Sequence, residues 1–80
     1  MATVMVIDDS RATRALAKRT LVEAGYNVVE ATDLGDAVNK ARVAQVDVFV
    51  CFTAQQVDWP VVVASLQPAQ LLATIRKALA

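Results

Sequence analysis

Val4-Met5-Val6-Ile7 is an unbroken apolar run that stops at the acidic pair Asp8-Asp9. A short, largely β-branched run of this kind predicts a strand buried on both faces, as in parallel sheets. Beyond it, Thr13, Leu16, Ala17, Thr20, Leu21 and Ala24 recur at helical spacing, while Arg11, Arg14, Lys18 and Arg19 fall largely on other faces. The spacing predicts an amphipathic helix, with Ser10 as its N-cap and Gly25 as its stop. Residues 27–31 predict a second strand. Asp33 is placed to cap a second helix that turns Ala37, Val38 and Ala41 inward and ends near Ala44. Residues 46–52 predict a third strand. Residues 59–65 predict a fourth, with Pro60 at its start, where a missing N–H is tolerated. Gln67 and Pro68 stand at the N-cap and N1 positions of a last helix. Its apolar stripe is Leu71, Leu72, Ile75 and Leu79, and Arg76 and Lys77 suit its C-terminal end.

The predicted order is β-α-β-α-β-β-α. Alternation of this kind argues for an α/β fold with a mostly parallel sheet and right-handed crossovers. No repeat, linker or low-complexity stretch divides residues 1–80, which read as a single domain. In such sheets ligand chemistry collects at the carboxyl ends of the strands. The residues predicted there are Asp8, Asp9, Ala31, Phe52 and Ser65.

Composition narrows the function classes. The chain has 80 residues, 56% hydrophobic and 20% charged, too apolar for disorder. Its apolar runs are far shorter than a membrane-crossing helix needs, so no membrane partner is expected. Eight acids balance eight bases, so no global field draws in nucleic acid or anionic lipid. There is no histidine, which removes every mechanism that uses imidazole. One cysteine, Cys51, sits inside an apolar run. It allows no disulfide framework, suits a reducing cytoplasm, and reads as a small buried hydrophobe. Met1 is followed by a strand-like segment without a basic region or cleavage site, so no secretory leader is expected. A domain this small has a thin margin of stability, and oligomerisation is a common remedy.

Two adjacent carboxylates at a strand end repel each other and need a reason. Asp8 and Asp9 read either as ligands for a hard cation such as magnesium, or as acids stabilised by the N-terminus of the following helix.

Taken together, Val4-Met5-Val6-Ile7-Asp8-Asp9-Ser10, the helix end Ala24-Gly25-Tyr26 and the segment Val29-Glu30-Ala31-Thr32-Asp33 resemble the receiver domain of bacterial two-component response regulators. The likeness continues through Ala37-Val38 and Val46-Asp47-Val48-Phe49-Val50, and so covers residues 1–52. Trp59-Pro60-Val61-Val62-Val63-Ala64-Ser65 is similar to the family's fourth strand. Leu66-Gln67-Pro68 and the helix after it are similar to its Lys-Pro loop and closing helix. The resemblance implies a truncated flavodoxin-like sheet, because the link between the third and fourth strands is too brief for the family's third helix. The step from Ser65 to Gln67 likewise omits a fourth helix and fifth strand. Leu34 takes the place of a usual glycine, with Gly35 one later.

The resemblance also implies a site, and this chain departs from it. Receivers accept a phosphoryl group on an aspartate at the end of the third strand. Counted from Asp47, that place is Phe52, whose ring has no nucleophilic oxygen. The family's lysine falls on Gln67, an amide that supplies no positive charge. The hydroxyl at the fourth strand's end survives as Ser65, and the metal-site acids survive as Asp8 and Asp9. The expectation is a degenerate phosphorylation site at Phe52, Ser65 and Gln67. Asp8 and Asp9 are expected to bind magnesium weakly at most, with no other cofactor.

The function expected is that of a pseudo-receiver: a phosphorylation-independent protein–protein interaction module in cytoplasmic signalling, not an enzyme, acting as a homodimer. Its partner class would be a histidine kinase or another signalling protein, docking on Ala12, Ala15 and Arg19 of the first helix. Trp59 is an interface anchor or a cap over the sheet end. One alternative is a phosphoacceptor that uses Asp8 or Asp9 with magnesium. Asp47, the only acid of the third strand, lies at the wrong end, about 15 Å away at about 3.3 Å per residue. An aspartate-nucleophile phosphatase would need an Asp-x-Asp spacing that is absent. Another alternative is a truncated or engineered scaffold without a signalling role. The expected dimer contact is the open sheet face and last-strand edge, where helices are missing. The last strand could be antiparallel, parallel or swapped between chains.

Overall fold

The computed structural model describes residues 1–53 and 60–80. Strand β1 (Thr3–Ile7) leads into helix α1 (Arg11–Glu23), β2 (Asn27–Ala31), α2 (Leu34–Ala41), β3 (Val48–Cys51), β4 (Val61–Val63) and α3 (Pro68–Leu79). The sheet order is β2-β1-β3-β4, and every neighbouring pair is parallel. Of the geometries expected for the last strand, the antiparallel one is corrected: β4 runs parallel to β3, with Val50 opposite Val62.

The central strands separate two cores, as alternation of side chains requires. Val4, Val6, Val48 and Val50 face Ala17 and Leu21 of α1 and Leu71 and Ile75 of α3. Met5 and Ile7 face the other way, toward Ala31 and Ala37. α1 and α3 thus share one face, and α2 lies over β1 and β2 on the other. The β-branched, unbroken composition of β1 suits burial on both sides, and four of its five residues are fully buried.

The helix ends obey local chemistry. The Ser10 Oγ accepts from the N–H of Thr13 at 3.2 Å. At the far end the Gly25 N–H donates to the Val22 carbonyl and the Tyr26 N–H to the Leu21 carbonyl, each at 3.0 Å, the two bonds of a Schellman stop. Gly25 has φ +96°, a conformation in which a side chain would be strained. The Asp33 Oδ1 caps α2 by accepting from the Asp36 N–H at 2.7 Å. At the amino end of the sheet, the Thr3 N–H donates to Asp47 Oδ2 at 2.7 Å. The Asp47 N–H returns a bond to the Thr3 carbonyl at 2.9 Å. Asp47 is thereby tied into the β1–β3 junction, at the end opposite the acidic pair.

Several expectations need correction. β3 and β4 are shorter than residues 46–52 and 59–65; single backbone bonds continue the pairing by one residue, from the Asp47 N–H to the Thr3 carbonyl and from the Ala64 N–H to the Cys51 carbonyl, each at 2.9 Å. Leu16 is 58% exposed and Val38 42%, although the spacing puts Leu16 on the apolar stripe of α1 and turns Val38 inward on α2; Ala24 is also exposed. The α1 stripe centres on Ala17 and Leu21, so Leu16 falls on its rim and Arg14 moves inward: the Arg14 side chain is only 13% exposed. Leu79 is more exposed than the rest of the α3 stripe because it lies in the last turn. Gln67 occupies the N-cap position but makes no side-chain capping bond. The link between β3 and β4, with Trp59, falls mostly outside the described residues.

Candidate functional site

The carboxyl ends of β1, β2 and β3 converge on an open cleft of about 510 Å³, lined by Asp8, Asp9, Thr32, Asp33, Gly35 and Thr53 among others. The pattern of residues that builds it is local. β1 ends at the first acid, so Asp8 is half-buried at the mouth and Asp9 is exposed. Asp33 arrives from the start of α2, and Thr53 from just beyond β3.

Asp8 is held on three sides. Its Oδ1 accepts from the Ser10 N–H at 2.8 Å. Its own N–H donates to the Ala31 carbonyl at 3.1 Å. Its carbonyl accepts from Arg14 Nη1 at 2.6 Å. Arg14 Nε also donates to Glu30 Oε1 at 3.2 Å, and Lys18 approaches the other Glu30 oxygen at 3.7 Å. Below the cleft, Cys51 is buried and its Sγ donates to the Thr53 carbonyl at 3.2 Å. Burial pushes the Cys51 thiol pKa up, and the nearby Asp8 charge adds to that. A thiol held protonated in this way is a poor nucleophile.

On the α2 side, Asp36 Oδ2 accepts from the Thr32 N–H at 3.0 Å and pairs with Lys40 Nζ at 3.1 Å. The backbone N–H of Thr32, then Lys40, hold the Asp36 carboxyl below its ordinary value. These acids are committed to ordering the β2–α2 corner.

The donor set does not fit a magnesium ion. Among the described residues, no group of three or more acidic or sulfur side chains is arranged to hold a metal. Asp8 and Asp33 each give an oxygen to a backbone N–H. Magnesium needs near-octahedral oxygen ligation and dehydrates reluctantly.

The three residues expected to make up the degenerate phosphorylation site do not line this cleft. Phe52 is partly buried and packs against the core under α1 and α3. The Ser65 Oγ accepts from the Gln67 N–H at 3.1 Å, a local turn. Gln67 itself is exposed and borders a separate groove between α1 and α3, with Leu16, Arg19, Leu66, Pro68 and Leu72. Of the expected docking residues, Ala12 and Ala15 are exposed. Arg19 lines that groove and pairs with Glu23 at 3.2 Å. Trp59 lies outside the described residues. Sequence reasoning missed Arg14 as the clamp behind Asp8 and missed Asp33 and Thr53 as cleft residues. The N-cap pattern at Asp33 was the one available signal for its position.

A four-stranded parallel sheet with an acidic pair after β1, flanked by helices on both faces, defines a receiver-like α/β domain. No family model and no curated protein sequence matches the chain. Solved structures do. A response regulator from Thermotoga maritima is 34% identical over 62% of this chain and 42% of its own, with a TM-score of 0.59. The chemotaxis response regulator CheY4 of Vibrio cholerae is 38% identical over 79% of this chain and 49% of its own, at a TM-score of 0.61. The same CheY4 protein crystallised at low pH aligns over 99% of this chain and 61% of its own, at 31% identity and a TM-score of 0.61. The chain belongs to the receiver-domain family of response regulators. It spans between 42% and 61% of the length of these structures.

Proposed function

We propose that this chain is a pseudo-receiver: a phosphorylation-independent interaction module of bacterial signalling, working in the cytoplasm as a homodimer and carrying no enzymatic activity. The observation that carries the reading is the place of Phe52. It directly follows β3, where receivers present their acceptor aspartate, and it packs against the core instead of lining the acidic cleft. Gln67 in the lysine's place supplies no charge to neutralise a phosphoryl group. Asp8 and Asp9 keep the family's acidic pair without the two groups that make it a switch. What remains is a stable platform whose binding surface is its use.

The α1–α3 groove is the surface on which a signalling partner such as a histidine kinase would dock. It offers Leu16, Leu66 and Leu72 between the charges of Arg19, Glu23 and Arg76. A partner helix with a narrow apolar stripe and mixed charge on its flanks fits that chemistry.

Incubation with acetyl phosphate and magnesium, followed by intact-mass measurement, tests the phosphorylation half of the reading. The expected result is an unchanged mass. An adduct of one phosphoryl group, mapped by peptide sequencing to Asp8 or Asp9, would replace it with the phosphoacceptor reading.

A further inference from the structure

The two edges of the sheet are finished differently. On the outer edge formed by β2, Lys40 Nζ donates to the Glu30 carbonyl at 2.6 Å, and the Glu30 side chain is engaged by Arg14 and Lys18. A lysine and a charged side chain on an edge are common devices that stop another strand from adding there. The edge formed by β4 has none of them. From Pro60 to Gln67 the chain carries no charged residue at all. The Ala64 N–H donates inward to the Cys51 carbonyl at 2.9 Å, and strand alternation then turns Val62 inward as well. Val61 and Val63 therefore point their N–H and C=O groups away from the sheet. Among the described residues no hydrogen bond is made to them.

We infer that the β4 edge is the contact between two copies of this chain, paired antiparallel about a two-fold axis beside Val62. This rests on the homodimer reading above and names its surface. The backbone geometry selects the register. With Val61 opposite Val63 of the second copy, each residue gives its N–H to the other's carbonyl, and symmetry doubles the set to four bonds. Val62 then meets its own counterpart as a non-hydrogen-bonded pair, where side chains approach most closely. Val62 already belongs to the α1/α3 side and Val61 to the α2 side, so both faces of the joined sheet continue across the axis. Val63, half exposed in one chain, becomes covered. A second copy is the occupant because an uncharged edge meets itself without repulsion and a two-fold axis beside Val62 brings like faces of the two sheets together. α2 stops over β1 and β2 and leaves room at this side for the join.

Sedimentation velocity of the full chain at micromolar concentration reads the oligomeric state, and three measurements read the surface. The parent protein should be a dimer. Val63→Lys sets an ammonium on the edge at an exposed position and should raise the dimer dissociation constant about tenfold or more, with the circular dichroism spectrum unchanged. Val62→Cys should form an intermolecular disulfide on mild oxidation, since the paired Cα atoms would lie about 4.5 Å apart, within bridging range; Cys51 is buried and serves as the internal control. In the parent dimer, the amides of Val61 and Val63 should exchange slowly with solvent, a readout that needs no variant. A parent monomer overturns the homodimer reading and this surface together. A parent dimer that is indifferent to Val63→Lys, does not cross-link at position 62, or exchanges both amides rapidly keeps the homodimer and overturns this surface alone.

Discussion

Arg14 Nη1 donates to the main-chain carbonyl of Asp8 at 2.6 Å. One helical side chain thus reaches past its own N-cap to hold the end of β1, while its Nε holds Glu30 on β2. The bond fixes where the acidic cleft begins, and it explains why a charged residue lies on the inner side of α1. A guanidinium satisfied by a carbonyl and a carboxylate is tolerated at low exposure where an unpaired one would not be.

Arg14→Ala should therefore destabilise the fold by about 1–3 kcal/mol, because it leaves the Asp8 carbonyl without its side-chain donor and Glu30 with Lys18 alone, at 3.7 Å. Arg14→Lys should recover only part of this, since a single ammonium cannot serve both partners with fork geometry. Urea unfolding followed by circular dichroism measures both. No change in the midpoint for Arg14→Ala would show that water replaces the clamp at no cost.

Acid should weaken the β2–α2 corner. The Asp36 carboxyl titrates below its ordinary value because the Thr32 N–H and Lys40 stabilise its charged form. A group depressed in the folded state adds stability above its unfolded value and loses it as pH falls through the folded value. The window lies below about pH 4. Asp36→Asn should accordingly lower the thermal midpoint at neutral pH, and its difference from the parent should shrink toward zero in strong acid. A difference that stays constant with pH would mean that the carboxyl acts by shape, not by charge.

Phe52→Asp should fail to create an efficient phosphoacceptor, because position 67 still lacks a cation. The substitution also places a carboxylate against the α1/α3 core, where burying a charge is costly. A loss of about 1–3 kcal/mol in stability is expected, together with no labelling by acetyl phosphate at the rate typical of a receiver. Fast labelling of this single variant would show that the cleft retains its switch chemistry.

Magnesium should bind no tighter than about millimolar, since Asp8 and Asp33 each already accept a backbone N–H and, among the described residues, no group of three acids is arranged to hold the ion. Titration followed by amide chemical shifts at Asp8, Asp9 and Asp33 measures it. Saturation at micromolar metal would require the cleft to rearrange around the ion.

Much of the fold was legible along the chain because the determining physics is local. Ser10, Gly25 and Asp33 act on backbone groups within a few residues of themselves, so their capping roles follow from order alone. The unbroken Val4-Met5-Val6-Ile7 run demands burial on both faces, and the alternation of strands and helices then restricts the connections to a parallel sheet. The acidic pair, and the absence of an acid and a lysine where the receiver family has them, were equally plain. The tertiary structure decided what depends on residues far apart. Only the sheet order shows that β4 pairs in parallel with β3 and leaves an uncharged edge. Only the packing of α1 beside α3 turns Leu16 outward and Arg14 inward, since a helix stripe read from spacing has no fixed centre until its neighbours are in place. Phe52 and Gln67 could be named from the sequence as departures, but their separation from the Asp8 cleft required the three-dimensional arrangement. A side chain's direction at the end of a strand is set by the core on each side of the sheet, and that core is assembled from distant parts of the chain.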